Sequence, residues 1–416
     1  MSIAPRGLIL LALAALSGFV LPSAAAWTVL LVALVAVAAD AWAVRRPPEA
    51  TVSAPPILSR GVPSEFEVRL EPARETRVRL VGSADIRIEP EEGRESLAGT
   101  VTALRRGTHT IPPTSTLAEG PLGLGRWYHR AGAPTTFVVY PDMPAARRLA
   151  TEVRLGRFGD SARRSRGPLG LGTELESIRD YLPDDDIRQV NWRATARTGT
   201  PMSNTYRIEQ EREVIVLLDT GRLMSAPVGD GTERTRLDVA VDTVAAVASA
   251  ADVVGDRIGV VAFDDQIRRR LSPRRDGSKA TITAVHDLEP SMQESDFELA
   301  FRTVAHNKRA FILLLTDLME ETAALPLLAA IPILARHHAV AVGGVSDPAV
   351  TAALSTPAGG IADAYRTAVA AEIERSRRRA GARLEAFGVT VIDALAPQLP
   401  HRCVAAYLRA KRRARF

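Results

Sequence analysis

One cysteine in the whole chain, Cys403, excludes an internal disulfide and fits a reducing compartment. No base partner is evident for that thiol, so it reads as a buried hydrophobe rather than a nucleophile. Lysine is almost missing: nearly every cation is arginine, and acids are interspersed throughout. A net charge of +5 and a pI near 9.7 therefore do not make a nucleic-acid surface, and no nucleic-acid module is legible. The arginine clusters read as solvated faces, with anionic lipid headgroups the alternative for Arg45-Arg46 and for Lys411 to Arg415. There is no G-x-x-x-x-G-K-[ST] phosphate loop and no set of nucleophile, base and orienter. His337-His338 opens a strand and His286 stands alone, without the spacing of a metal-ligand pair. No internal repeat or long low-complexity linker interrupts the 416 residues, a length that exceeds one ordinary domain.

Hydrophobic patterning divides what is present into four parts. Residues 1–46 read as a two-helix transmembrane hairpin: Gly7 to Val20 and Ala24 to Val44 are apolar and joined by Leu21-Pro22-Ser23. Only the second reaches the roughly 20 residues that span a bilayer; the first is short. Arg6 before the pair and Arg45-Arg46 after it put both ends in the cytoplasm by the positive-inside rule. A cleaved signal peptide ending near Ala24-Ala25-Ala26 is the competing reading. Asp40 and Trp42 fall near the end of the second span, where an acid can reach interfacial water. Residues 50–145 switch to period two, as in Glu65 to Leu70, Arg77 to Leu80 and Asp85 to Ile88, which predicts a β-rich, sandwich-like domain. Residues 146–212 read as a linker carrying a signature motif. Residues 213–416 alternate buried-type strands, at 213–219, 256–263, 310–317, 339–345 and 389–393, with helical stretches. That alternation predicts an α/β fold with a doubly wound, mostly parallel sheet. Thr235 and Asp238 offer a capping-box start to its first helix.

The signature lies between Leu175 and Arg197, LESIRDYLPDDDIRQVNWRATAR. With Gly172, Thr173 and Glu174 before it, it resembles the pattern G-T-E-F, R-x-Y, G-D-D-x-R-x-I-x-W-x-x-x-A-R of the domain of unknown function 58 proteins. Arg179, Tyr181, Asp185, Asp186, Arg188, Asn191, Trp192, Ala196 and Arg197 fit; Leu175 and Asp184 depart. The Arg106-Gly107 turn, Pro121 to Leu124 and Val139 to Pro141 extend the resemblance toward the N-terminus, although family members often carry an acid where this chain has Gly120. Two roles are open for Arg179, Tyr181, Asp185, Asp186, Arg188, Trp192 and Arg197. They could grip a partner's acidic segment through guanidinium forks, or pair internally and staple the segment down.

Asp219 and Asp317 both end strands, where ligands gather in open parallel sheets. Two acids so placed look like a von Willebrand factor A-type domain, whose ion site uses D-x-S-x-S, a later Thr and a second acid. Here the first element is Asp219-Thr220-Gly221-Arg222-Leu223, without either hydroxyl. Asp219, Ser295 and Asp317 would form at most a degenerate metal site; the alternative is that Asp219 caps a helix or accepts a hydrogen bond from Arg222. Octahedral Mg²⁺ needs several convergent oxygens, so no cofactor is expected and Mg²⁺ binding should be weak or absent. The family resemblance implies a membrane-anchored protein that presents a client to a MoxR-type AAA+ ATPase without being an enzyme. Rivals are a metal-dependent hydrolase or envelope-synthesis enzyme using Asp219 and Asp317, and an extracellular adhesion module if the first segment is cleaved. The expected partners are that ATPase, an unknown client and the lipid bilayer, with no nucleic acid.

Overall fold

The computed structural model describes residues 1–71, 76–156, 174–182, 185, 187–207, 212–317, 325–357 and 359–413. The chain divides into two compact units, Met1–Tyr140 and Pro141–Phe416.

The first unit begins with strand β1 (Ser2–Ile3) and helices α1 (Pro5–Leu16) and α2 (Ser23–Ala43). At 1.5 Å per residue the 21 residues of α2 run about 31 Å, matching a hydrocarbon core, whereas the 12 residues of α1 run only about 18 Å. Among the described residues α2 is the one helix long and apolar enough to cross a membrane. Strands follow: β2 (Glu49–Ser53), β3 (Ile57–Ser59), β4 (Ser64–Glu71), β5 (Thr76–Arg79), β6 (Ile86–Glu89) and β7 (Glu92–Arg94). After these come β8 (Ser96–Ala103), β9 (Gly107–Ile111), β10 (Thr114–Glu119), β11 (Gly125–Ala131) and β12 (Thr135–Tyr140). They form sheets in the orders β1-β11-β10-β5-β7, β2-β4-β8-β6 and β3-β12-β9. The period-two pattern explains the core: Phe66, Val68, Val78, Ile86, Leu97, Ile111 and Phe137 point inward and share one apolar cluster, while their neighbours in sequence face out.

Asp40 departs from the interfacial role expected for it. Its side chain is buried, and its carboxylate accepts the backbone N–H groups of Leu122 (2.8 Å), Leu124 (2.7 Å) and Gly125 (2.9 Å) in the β10–β11 turn. Three N–H donors solvate a charge that the end of an apolar helix otherwise leaves bare. The same contact accounts for Gly120, since a Cβ there would lie 2.3 Å from the Asp40 carboxylate.

The second unit opens with α3 (Met143–Arg154) and an antiparallel hairpin of β13 (Glu174–Asp180) and β14 (Met202–Arg207), with α4 (Trp192–Thr198) between its arms. Regular structure thus occupies much of the stretch read as a linker. Beyond it lie β15 (Glu213–Asp219), α5 (Arg236–Val254), β16 (Arg257–Phe263), β17 (Ile267–Arg274), α6 (Ser278–Val285) and α7 (Phe297–Val304). The unit continues through β18 (Ala310–Leu315), α8 (Leu325–Ala330), α9 (Pro332–Ala335), β19 (Ala339–Val345), α10 (Pro348–Ser355), α11 (Ile361–Ala386), β20 (Thr390–Ala394) and α12 (Leu399–Arg412). The six strands order as β17-β16-β15-β18-β19-β20, all parallel except β17, which runs antiparallel to β16 at the edge. Central strands buried on both faces require continuous apolar runs, and VIVLL and AFILLL supply them. Ile215, Leu217, Ile312 and Leu314 pack with α7, α8, α9 and α11. Thr235 and Asp238 complete the expected capping box of α5. Cys403 is fully buried on α12, and burial pushes its thiol well up, as a structural cysteine requires.

Candidate functional site

The carboxyl ends of β15, β16 and β18 gather a set of buried acids. Asp219 closes β15 and is almost wholly covered. Its Oδ1 accepts the Ser295 hydroxyl at 2.5 Å and the Gly221 N–H at 2.8 Å; its Oδ2 accepts the Thr316 hydroxyl at 2.6 Å. Register produces the last contact: Leu218 pairs with Leu315, which sets Thr316 level with Asp219. Ser295 reaches the strand end because its loop is laced to it, Ser291 N–H donating to Thr220 O and Arg222 N–H to Gln293 O. Burial pushes the Asp219 carboxyl up, against the hydrogen bonds from Ser295, Thr316 and Gly221, and the negative charge of Asp264 pushes the same way.

Asp317 belongs to a different network. It ion-pairs with Arg236, the first residue of α5, and with Arg377 of α11 at 3.3 Å, all three side chains being buried. Arg377 also donates to Val345 O at 2.8 Å and approaches Asp393 at 3.5 Å. Burial, reinforced by the charge of Arg377, draws Arg236 down to about 10, while Asp347 and Asp393 oppose that shift. It remains a cation at neutral pH. Of the three acids and hydroxyls expected in one degenerate ion site, Asp219 and Ser295 meet directly, and among the described residues Asp317 shares no hydrogen-bond or ion-pair partner with them. A hard cation needs oxygens that converge and are free to ligate. Here hydroxyl and N–H donors engage both Asp219 oxygens, and two guanidinium groups already supply positive charge to Asp317, so the arrangement does not fit Mg²⁺. Arg222 does not reach Asp219 either; its guanidinium pairs with Glu294 at 2.6 Å.

Two residues escaped the sequence reading. Thr316 precedes an acid that drew attention from it. Asp264, directly after β16, has a fully covered carboxylate paired with Arg268 at 2.6 Å. Burial raises its carboxyl, but hydrogen bonds from Ser291, Arg268 and the Gln266 N–H prevail and hold it below the usual range. The Asp264-Asp265 doublet following an apolar strand was the available signal.

The signature residues separate into two groups. Arg179 grips Asp185 bidentately at 2.8 and 2.6 Å, Leu182 N–H donates to the same carboxylate at 2.9 Å, and the Tyr181 hydroxyl donates to the Asp185 carbonyl at 3.0 Å. The Arg179 hydrogen bond holds Asp185 below its ordinary range and raises Arg179 in return. Asn191 caps α4 by accepting the Ala194 N–H at 2.9 Å and ties it to β14 by donating to Asn204 at 2.7 Å. Trp192, by contrast, is 70% exposed, and Ile187, Arg193 and Arg197 are exposed beside it in sequence. Asp186 lies outside the described residues, as does the side chain of Arg188. The short side of the motif is therefore a clasp, and its helical side turns an indole and two guanidinium groups to solvent.

Residues 177–386 match the family described as "Protein of unknown function DUF58". Over 120 residues the chain is 30% identical to the uncharacterized proteins Rv1480 of Mycobacterium tuberculosis and Mb1516 of Mycobacterium bovis, a match covering 29% of this chain. The same match spans 36% of the length of those relatives. Among solved structures, a cohesin module from a Clostridium perfringens family 33 glycoside hydrolase aligns with 23% of the chain and 98% of itself, at 6% identity and a TM-score of 0.17. The PKD domain of an M14-like peptidase from a Thermoplasmatales archaeon aligns with 21% of the chain and 97% of itself, at 15% identity and a TM-score of 0.15.

Proposed function

The chain belongs to the DUF58 family, and we propose that it is a non-enzymatic, membrane-anchored scaffold that presents a client protein to a MoxR-type AAA+ ATPase. One observation carries this reading: Asp219 is held by the Ser295 and Thr316 hydroxyls and Asp317 is ion-paired with Arg236 and Arg377, while a clasped hairpin holds Trp192, Arg193 and Arg197 out to solvent. An exposed indole beside guanidinium groups is the chemistry of an interaction hot spot. The partner segment it suits combines an apolar residue with carboxylates.

The α/β unit is read as von Willebrand factor A type, a reading supported by its strand order, with the antiparallel strand β17 at one edge, and by acids ending β15 and following β18. Both N-terminal helices enter the bacterial plasma membrane as a hairpin, with the soluble parts cytoplasmic; the length of α2 and the arginines at 6, 45 and 46 support that topology. Reporter fusions after Pro48 and at Phe416 should both read cytoplasm.

Pull-down of the full chain from membranes, with Trp192→Ala and Arg197→Glu combined, tests the surface. Capture of the ATPase or client should fall, fall further with added salt, and leave the melting temperature unchanged. Undiminished capture would eliminate this surface as the contact.

A further inference from the structure

At the exit of α2 the first unit has a cleft of about 860 Å³, lined by residues that include Trp42, Arg45, Arg46, Glu49, Glu71 and Ala118. The fold fixes the end of the helix there. Asp40 is held by three N–H groups of the β10–β11 turn, and His129 of β11 makes a 2.9 Å hydrogen bond to the Val44 carbonyl. Arg45 lies with its guanidinium carbon 4.3 Å from the centroid of the Trp42 ring. This cation–π contact orients it without neutralising it.

Charge in the cleft is unbalanced in two places at once. Among the described residues neither Arg45 nor Arg46 has a carboxylate within ion-pair distance, and neither Glu49 nor Glu71 has a cation. Glu49 and Glu71 are directly opposite each other on β2 and β4, a like-charge pairing that disfavours the ladder unless a cation joins it. Among the described residues, one side of the cleft thus lacks an anion and the other lacks a cation. The apolar surfaces of Trp42, Val44 and Pro47 border both.

We infer that this cleft binds the headgroup of a zwitterionic aminophospholipid, phosphatidylethanolamine, with its phosphate on Arg45 and Arg46 and its primary ammonium on Glu49 and Glu71. The inference rests on the reading of α2 as a membrane span, which puts these residues at headgroup depth: Arg45 is two residues past the end of a helix about as long as the hydrocarbon is thick. A primary ammonium donates hydrogen bonds to carboxylates, which the quaternary ammonium of phosphatidylcholine cannot do; phosphatidylglycerol offers the phosphate and no ammonium. The cleft therefore distinguishes three lipids with the same phosphodiester.

The test uses the full chain, purified from membranes and reconstituted in nanodiscs of phosphatidylethanolamine, phosphatidylglycerol or phosphatidylcholine, with retained lipid counted by native mass spectrometry. Phosphatidylethanolamine should be retained ahead of both others. Glu49→Gln with Glu71→Gln should erase its advantage over phosphatidylglycerol, and Arg45→Gln and Arg46→Gln should each lower retention about fivefold, as one cation near a lipid surface is worth about 1 kcal/mol. Equal retention of the three lipids, or a preference for phosphatidylglycerol, overturns the site. Glycerophosphoethanolamine, the same headgroup without chains, should compete poorly, and equal competition overturns a lipid as the ligand. Carbonate extraction of membranes reports separately on the span. Release of the protein would remove the anchor and this site together, whereas a carbonate-resistant protein without headgroup preference removes the site alone.

Discussion

The hydroxyl of Ser295 reaches the Asp219 carboxylate at 2.5 Å because position 221 is glycine: a Cβ there would lie 2.1 Å from Ser295 Oγ. Ser295 Oγ, from a loop far along the chain, thus occupies the space that a side chain at position 221 would need. Gly221→Ser should therefore cost about 1–3 kcal/mol through overpacking rather than rebuild an ion site. Adding Ser295→Ala should recover part of that loss. Thermal melts of the single and double variants, with calorimetry against Mg²⁺, check both points; a stable Gly221→Ser protein that binds Mg²⁺ tightly would contradict them.

Asp317 neutralises two arginines that already oppose each other. Asp317→Asn should be the most damaging change in this cluster, about 3–5 kcal/mol, because it leaves Arg236 and Arg377 buried without their shared anion. Arg377→Met should cost less, since Arg236 still pairs with Asp317 and the repulsion between the guanidinium groups disappears. Urea denaturation of the two variants gives the order, and the reverse order would show that Arg377 contributes chiefly through Val345 and Asp393.

Asp219 should show an inverted pH response. Burial raises its carboxyl above the ordinary carboxylate range, so the folded state binds this proton more readily than the unfolded state. Its charge is a net cost above the folded pKa, and the cost is relieved as pH falls through that pKa toward the unfolded value. Asp219→Asn removes the charge and keeps an acceptor. Its stability relative to the parent should be greatest at neutral pH and decline as the pH is lowered to about 4. Paired denaturation curves across that range decide it; a difference that grows on acidification would mean the carboxylate is stabilised in the fold.

Asp40 anchors α2 to the β10–β11 turn. Asp40→Leu should strand the N–H groups of Leu122, Leu124 and Gly125 at about 1–3 kcal/mol for each that stays buried, whereas Asp40→Asn, which keeps one oxygen, should lose less. Melting of the full chain in detergent measures the two. Equal losses would indicate that charge, not acceptor number, holds the turn.

Much of the architecture is legible in the sequence. Strict alternation at Glu65 to Leu70 corresponds to β4, and the apolar runs ending at Asp219 and near Asp317 correspond to β15 and β18. Strand β17 was not legible, because IRRRLSPR carries arginines on an edge strand whose side chains are largely exposed or half-buried, and such a strand needs no apolar signature. The division of the signature into a clasp and an exposed face was equally hidden: acids and arginines at those spacings suit both roles, and only the bidentate Arg179–Asp185 pair and the outward Trp192 separate them.

Periodicity, caps and apolar runs depend on residues a few positions apart, so the sequence by itself determined most of the strands and helices, the apolar N-terminal segments and the acids at the strand ends. Which groups meet at those ends depends on register between strands and on loops that return from distant parts of the chain. Thr316 is 97 residues from Asp219 and Ser295 is 76, yet these two hydroxyls hold its carboxylate, while Asp317, one position past Thr316, is held by arginines from α5 and α11. Tertiary structure alone decided that, because a one-residue step past a paired rung changes the neighbours a side chain meets.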